Sequence, residues 1–315
     1  MEIKKDHFLS ADGKTNIAYY IFEDKSVKPK AILQVIHGMK EYALSFKEFA
    51  KFFTKQGFVV VGNDALGHGE SIYSKEDAGF FADKDGDKCV LKDIYSMTKI
   101  AKNKYPDLPI FMFGHSMGSF FARYYASEYP NAVNGFILSG TSGRIKGINF
   151  GLFVMNLLKK IKGNRARVPF LDTKMTESYN RYIEHPKRHF EWVSSNPNFI
   201  NESNFKPEYQ ISFTVGAYYD MVKTLVRINK KSWAKKLNKN TPILLISGAQ
   251  DPVGQYGQGV CEVYKMLENE KIKSVDLKLY GTARHSLVLE VESIKDSFYN
   301  DMLIWLNDKI KKLKK

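Results

Sequence analysis

The sequence predicts an α/β fold, with a mostly parallel central sheet flanked by helices and a helical insertion ahead of its last strands. Three observations predict it. Short runs at 31–36, 58–62 and 135–139 are apolar almost throughout rather than alternating, the pattern of strands buried on both faces. Segments with helical spacing separate them, as parallel strands require. A third feature is the run Phe111-Met112-Phe113, which passes directly into Gly114-His115-Ser116-Met117-Gly118 and then into a helical pattern.

The elements follow in order. Residues 1–9 and 15–24 read as two strands about the turn Ala11-Asp12-Gly13, the second with period-2 alternation. The run 31–36, interrupted only by Gln34, ends in His37-Gly38-Met39. Helical spacing at Phe46, Phe49, Ala50 and Phe53 is closed by Gly57. The strand at 58–62 leads into the Gly-rich loop Asp64-Ala65-Leu66-Gly67-His68-Gly69-Glu70-Ser71. A helix over roughly 87–103 precedes Pro106 and Pro109, then come the Ser116 strand, a helix at 116–129 and the strand at 135–139. The alternation then stops. Residues 141–235 carry helical segments and no buried strand. Strand character returns at 242–247 and 275–280, with helices at 257–269 and 291–312. The expected organisation is therefore a core of 1–140 and 236–315 with a helical cap at 141–235.

A chain of 315 residues with 43% hydrophobic and 14% aromatic content can bury a large core. The N-terminus MEIKKDHFLS has no apolar segment of the signal-peptide kind, and no run approaches the length of a spanning helix. Cys89 and Cys261 are too few for a disulfide framework or a metal site. The expected setting is cytoplasmic, with contact at a membrane periphery.

G-x-S-x-G places a serine on a tight turn at the end of a strand, with the Met117 backbone N–H facing the site where an oxyanion would form. Serine chemistry also needs a base and an acid to orient it. In a doubly wound sheet these belong just after strand ends. Asp251 follows the strand at 242–247, ahead of Pro252, and His285 follows the strand at 275–280. The other carboxylates are worse placed: Asp276 lies inside a strand and Asp220 in the insertion. Of the seven histidines, His115 adjoins the serine and reads as structural support. His37 and His68 read as holders of loop geometry, and His185 and His189 fall in the insertion. The Met39 amide, just past 31–36, is the expected second oxyanion donor.

The motifs His37-Gly38-Met39 with Glu41, Asp64-x-x-Gly67-His68-Gly69-x-Ser71, Gly114-His115-Ser116-Met117-Gly118, Asp251-Pro252-Val253 and Arg284-His285 with Glu290 occur together in this order. With them the chain resembles α/β-hydrolase superfamily serine hydrolases with a serine aminopeptidase S33-like domain, the branch of monoacylglycerol lipases and bacterial lysophospholipases. The resemblance implies the α/β-hydrolase fold, hydrolysis of a single-chain acyl ester by Ser116, His285 and Asp251, and no cofactor or metal. A proline iminopeptidase-like aminopeptidase and a non-catalytic lipid-binding protein are the alternatives. It also implies that 141–235 is the cap that determines substrate choice, with Phe150, Phe153, Val154 and Val253 expected to meet substrate.

The net charge of +14 is concentrated in that cap. Residues 141–235 hold 17 lysines and arginines against seven acidic residues, +10 in all. A basic segment with Phe150-Gly151-Leu152-Phe153-Val154-Met155 ahead of Lys159-Lys160 suits an anionic lipid surface or head group. Nucleic acid is not an expected partner, because no fold that reads it is recognisable.

Overall fold

The computed structural model describes residues 1–186, 190–201, 212–230 and 232–313. Eight strands form one sheet in the order β1-β2-β4-β3-β5-β6-β7-β8. They are β1 (Glu2–Leu9), β2 (Asn16–Glu23), β3 (Ala31–Ile36), β4 (Phe58–Asn63), β5 (Ile110–His115), β6 (Gly135–Ser139), β7 (Ile243–Gly248) and β8 (Val275–Tyr280). β1–β2 and β2–β4 pair antiparallel, and every other pairing is parallel. This is the mostly parallel sheet expected, and the fold is that of an α/β-hydrolase.

The helices are α1 (Lys47–Lys55), α2 (Gly86–Lys104), α3 (Met117–Glu128), α4 (Ile148–Lys162), α5 (Pro169–Tyr179), α6 (Pro197–Asn201), α7 (Val215–Asn229), α8 (Ser232–Lys235), α9 (Gln258–Asn269) and α10 (Glu292–Leu313). Both faces of the sheet are covered. On one, Phe49 and Phe53 of α1 meet Phe298 and Met302 of α10 over Leu33, Val60 and Phe113. On the other, α2, α3, α7 and α9 pack over Ile32, Val61, Met112 and Leu245. Fully burying each such side chain stabilises the fold by about 1.5–3 kcal/mol.

The polar interruption in β3 is satisfied internally. Gln34 Nε2 donates to Ile94 O (3.0 Å) and its Oε1 accepts from Thr98 Oγ1 (2.7 Å), so the core stays closed around it.

From β3 the chain steps to β4 on one side and returns to β5 on the other. The crevice at the carboxyl ends of β3 and β5 is therefore the switch point where such sheets bind ligands. His37-Gly38-Met39 and Ser116 both emerge there.

The insertion is helical among the described residues, apart from one isolated bridge between Arg167 and Thr214. Its last long helix does not stand apart from the sheet domain. α7 packs on α2 and α3, with Ala217, Met221, Leu225 and Ile228 in the same core as Phe121 and Tyr124. α4 rests on α7 in turn. Arg123 of α3 fixes both roots: Nη1 donates to Ser142 O (2.8 Å) and Nη2 to Ile228 O (2.9 Å). Its guanidinium sits 4.3 Å from the Trp233 ring centroid. Part of the basic excess is engaged at this junction. Lys223 and Arg227 meet the buried Asp87 (2.8 and 3.2 Å), and Arg165 pairs with Asp77 (3.0 Å) and Asp83.

Candidate active site

Ser116 sits between β5 and α3 with φ 52° and ψ −122°, a conformation unusual for a residue with a side chain. The two glycines of the motif make this turn possible. A Cβ on Gly114 would stand 2.5 Å from Gly118 O, and one on Gly118 would stand 2.1 Å from Ile36 O. α3 is thereby pressed against the end of β3, and the Ser116 amide is held by Ser139 O (2.9 Å).

The three side chains expected to act together form one hydrogen-bonded chain. Ser116 Oγ lies 2.8 Å from His285 Nε2, and His285 Nδ1 lies 2.9 Å from Asp251 Oδ1. With Nδ1–H donating to the carboxylate, Nε2 is free to accept the serine proton. Asp251 and His285 are buried at 0% and 3% exposure, so little water competes for these bonds. Asp251 is fixed in turn by the Val253 N–H (2.8 Å) and by Ser247 Oγ (3.2 Å). Val253 thus serves the acid through its main chain, while its side chain packs against the core.

Met117 is the first residue of α3, where an N–H has no intrahelical acceptor. Met39 follows Gly38, whose amide donates to Glu41 Oε2 (2.6 Å), and a Cβ on Gly38 would lie 3.1 Å from Ser116 Cβ. The loop after β3 therefore runs directly beside the serine, and no acceptor for the Met39 amide lies among the described residues. Met39 and Met117 thus belong to the two backbone segments that flank Ser116.

Of the surrounding titratable groups, His37, His68 and His115 are buried and Glu41 is half-buried. Burial pushes the Glu41 carboxyl up to about 7, against the pull of the Gly38 amide and of His285. Burial lowers His37 to about 3 and His68 to about 4. His37 accepts the Ala65 amide at Nε2 (2.9 Å) and contacts Gly38 O through Nδ1 (2.8 Å), tying the two loops above the sheet together. His115 is held well below the ordinary histidine range by burial and by the neighbouring His285, 4.9 Å away ring to ring.

A cavity of about 270 Å³ opens beside His285, lined by Tyr179, Tyr182, Trp192, Gln250, Tyr256 and Arg284. The expected substrate-facing residues of α4 are elsewhere. Phe150 and Phe153 are 70% and 62% exposed on the outer side of that helix, with Val154 beside them. The reason is that α4 uses its other face, including Met155 and Leu158, to pack on α7. His185 is exposed, and His189 lies outside the described residues. Among the described residues no cluster of three or more His, Cys, Asp or Glu side chains is arranged to hold a metal ion.

Two neighbours of the site escape the sequence reading. Gly140, just past β6, has φ +60°, and a Cβ there would lie 2.9 Å from His285 Cε1. Its place immediately after a strand is the one signal that could have marked it. Trp192, in the insertion, lays its ring 5.0 Å from that of His285 and gives no local signal at all.

A sequence family described as serine aminopeptidase, S33, matches residues 27–292. Human monoglyceride lipase is 24% identical over 310 residues, 96% of this chain and 90% of that protein. The crystal structure of a highly thermostable carboxyl esterase from Bacillus coagulans in complex with glycerol superimposes with a TM-score of 0.90 at 33% identity, covering 98% of this chain and 99% of that one. A soluble variant of the Saccharomyces cerevisiae monoglyceride lipase, in complex with a substrate analog, shares the fold with a TM-score of 0.74 at 19% identity, covering 98% and 95%.

Proposed function

Because the chain belongs to the serine aminopeptidase S33 family, we propose that this carboxylic ester hydrolase cleaves single-chain acyl esters of the monoacylglycerol or lysophospholipid type. The observation that carries the mechanism is the continuous chain from Ser116 Oγ through His285 to Asp251, at 2.8 and 2.9 Å. His285 removes the Ser116 proton as Oγ attacks the ester carbonyl. The Met39 and Met117 amides hold the oxyanion, and each such donor is worth about 2.7–4 kcal/mol of transition-state stabilisation. His285 then gives the proton to the departing alcohol. Water, activated by the same imidazole, releases the acid from the acyl-enzyme.

The insertion at 141–235 is read as the cap over this site. Its α4 carries an exposed apolar stripe of Phe150, Phe153, Leu157 and Ile161 with Lys160 at its edge, while Lys159 lies over the Tyr219 ring of α7, 4.6 Å from its centroid. Such a helix can lie on an anionic lipid surface with Lys160 at the phosphate level and deliver a single-chain lipid to the crevice. No described helix is long and apolar enough to cross a membrane. Aminopeptidase activity would need an acidic group for the substrate ammonium. Among the described residues, the lining of the cavity beside His285 includes Arg284 and Gln250 and no carboxylate.

The test is labelling with a fluorophosphonate, followed by hydrolysis of p-nitrophenyl esters of several chain lengths and of aminoacyl anilides. Labelling is expected in the wild type and lost in Ser116→Ala. A folded wild type that does not label refutes the serine mechanism, and a preference for anilides refutes the ester reading. Lysophospholipid hydrolysis should rise with anionic vesicles and fall with added salt.

A further inference from the structure

The loop that carries His285 is bonded along its length to one short segment of the insertion. Arg284 Nη1 donates to Glu191 O (2.7 Å) and Ser194 O (3.1 Å). The His285 amide donates to Trp192 O (3.4 Å) and the Ser286 amide to Val193 O (2.7 Å). Farther on, Ser194 Oγ donates to Leu289 O (2.8 Å).

Glu290 lies at the centre of this seam, 1% exposed. Its Oε1 accepts from the Arg284 amide (2.8 Å) and from the Ser195 amide (3.0 Å), while its Oε2 accepts from Ser195 Oγ. One buried carboxylate therefore grips the residue before His285 and a residue of the insertion at the same time. Three hydrogen bonds of the seam, two from main-chain amides and one from a hydroxyl, converge on this one side chain.

We propose that Glu290 is a positioning residue for His285, and that through Ser195 it makes the setting of the base depend on how segment 191–196 is seated. The inference rests on the reading of His285 as general base. Glu290 acts on the main chain at Arg284, next to the imidazole it positions. Displacing that main chain swings Nε2 away from Ser116 Oγ, which now sits 2.8 Å from it. A misplacement on the order of 1 Å costs about 100-fold in rate. It follows that segment 191–196 does not lift as a lid by itself. Raising it breaks the bonds to 284–290 and disarms the base, so any opening of the insertion must occur in parts not stitched to this loop.

The experiment compares Glu290→Ala, Glu290→Gln and Ser195→Ala with wild type. Steady-state ester hydrolysis is measured alongside the low-field proton NMR resonance of His285 Nδ1–H in the resting protein. Glu290→Ala is expected to lower kcat about 30- to 100-fold with KM within about twofold, and to broaden or shift the resonance. Glu290→Gln, whose amide oxygen still accepts from both main-chain N–H groups, recovers most of the kcat and keeps the resonance. Ser195→Ala, a loss of one hydroxyl, lowers kcat by a factor of about three to ten. The proposal is overturned if folded Glu290→Ala keeps wild-type kcat and resonance, or if only KM changes. Should Glu290→Ala not fold, wild-type kcat and resonance in Ser195→Ala overturn it. The resonance needs no substrate. A wild type without esterase activity therefore refutes the ester-hydrolase reading alone and leaves the positioning role readable.

Discussion

Replacing Gly140 by alanine tests whether this glycine exists to make room for the base. The new Cβ would stand 2.9 Å from His285 Cε1 and 3.1 Å from Nδ1. Carbon atoms pack at about 3.5–4.0 Å, so the ring must retreat by about 0.6–1.1 Å. It has little freedom to do so, held by Asp251 at 2.9 Å and with the Trp192 and His115 rings 5.0 and 4.9 Å from its own. The retreat is taken from the Ser116–His285 bond, and kcat is expected to fall about 10- to 100-fold. That corresponds to about 1.4–2.7 kcal/mol of barrier. The backbone adds a separate cost: φ is +60° at this position, and a left-handed residue with a side chain loses about 1–2 kcal/mol of stability. Both are read on one preparation, the first from p-nitrophenyl butyrate hydrolysis and the second from urea unfolding. The reasoning fails if stability drops as expected while kcat stays within about twofold of wild type, since the strain would then be real and the steric contact with the base irrelevant.

Arg123→Met should destabilise the fold by about 2–4 kcal/mol, because Ser142 O and Ile228 O are left buried without donors. Burial of the guanidinium, which pulls its pKa down to about 9, offsets part of this loss. Urea midpoints decide, and a change below about 1 kcal/mol means that other donors replace the arginine. Stability against pH should show a plateau followed by a drop. His37 and His68 are neutral in the fold down to about 3 and about 4, so their contribution is complete above the ordinary 6.5 and is lost on acidification. Glu41 and Asp93, pushed up by burial to about 7, act oppositely: they cost stability as pH rises from their ordinary values of 4.5 and 3.8 towards 7. His115 adds to the first set, and Asp64 and Asp220, pushed up by burial to about 6, add to the second, so the two sets oppose one another between about pH 6.5 and 4.5. Below about 4 the acid gain is complete, and the ion-paired carboxylates Glu23, Asp83 and Glu262, held below their ordinary values, lose their contribution together with the histidines. Urea midpoints at pH 7, 5.5 and 3.5 should be similar for the first two and clearly lower for the third. A steady fall between pH 7 and 5 would mean that the Glu41 and Asp93 carboxyls are not held up in the fold, and a rise would mean that the histidines titrate there as they do in the unfolded chain.

The readable parts of the sequence were those whose physics is local. Runs such as Phe111-Met112-Phe113 announce strands covered on both faces, and all six residues of that strand are buried. The turn at Ser116 was legible because two glycines at fixed offsets are what a close approach of helix to strand demands. Asp251 and His285 were legible because strand ends in such a sheet converge on one crevice. What escaped is decided between segments distant in sequence. Gly140 is one of 22 glycines, and only its contact with His285 distinguishes it. Trp192 reaches the base through a fold of the insertion that no periodicity encodes. Phe150, Phe153 and Val154 belong to a helix apolar on nearly every side, so the pattern could not say which side α7 would cover. The basic excess of the insertion was likewise visible as a sum, but not the share taken by Asp87, Asp77 and Asp83.

Arg123 grips main-chain carbonyls at both roots of the insertion, and every amino acid carries one of those. The grip itself therefore makes no demand on the side chain at position 142. The demand falls instead on what lies between the roots: Ala217, Met221, Leu225 and Ile228 in the shared core, Lys223 and Arg227 on Asp87, and Ser195 on Glu290 beside the base. A foreign insertion spliced in between these two points would arrive clamped by Arg123, yet it would leave the His285 loop unsupported unless it brought its own counterparts of Ser195 and of the α7 face. The clamp is generic and the stitching is not, so the insertion and the sheet domain have to change together.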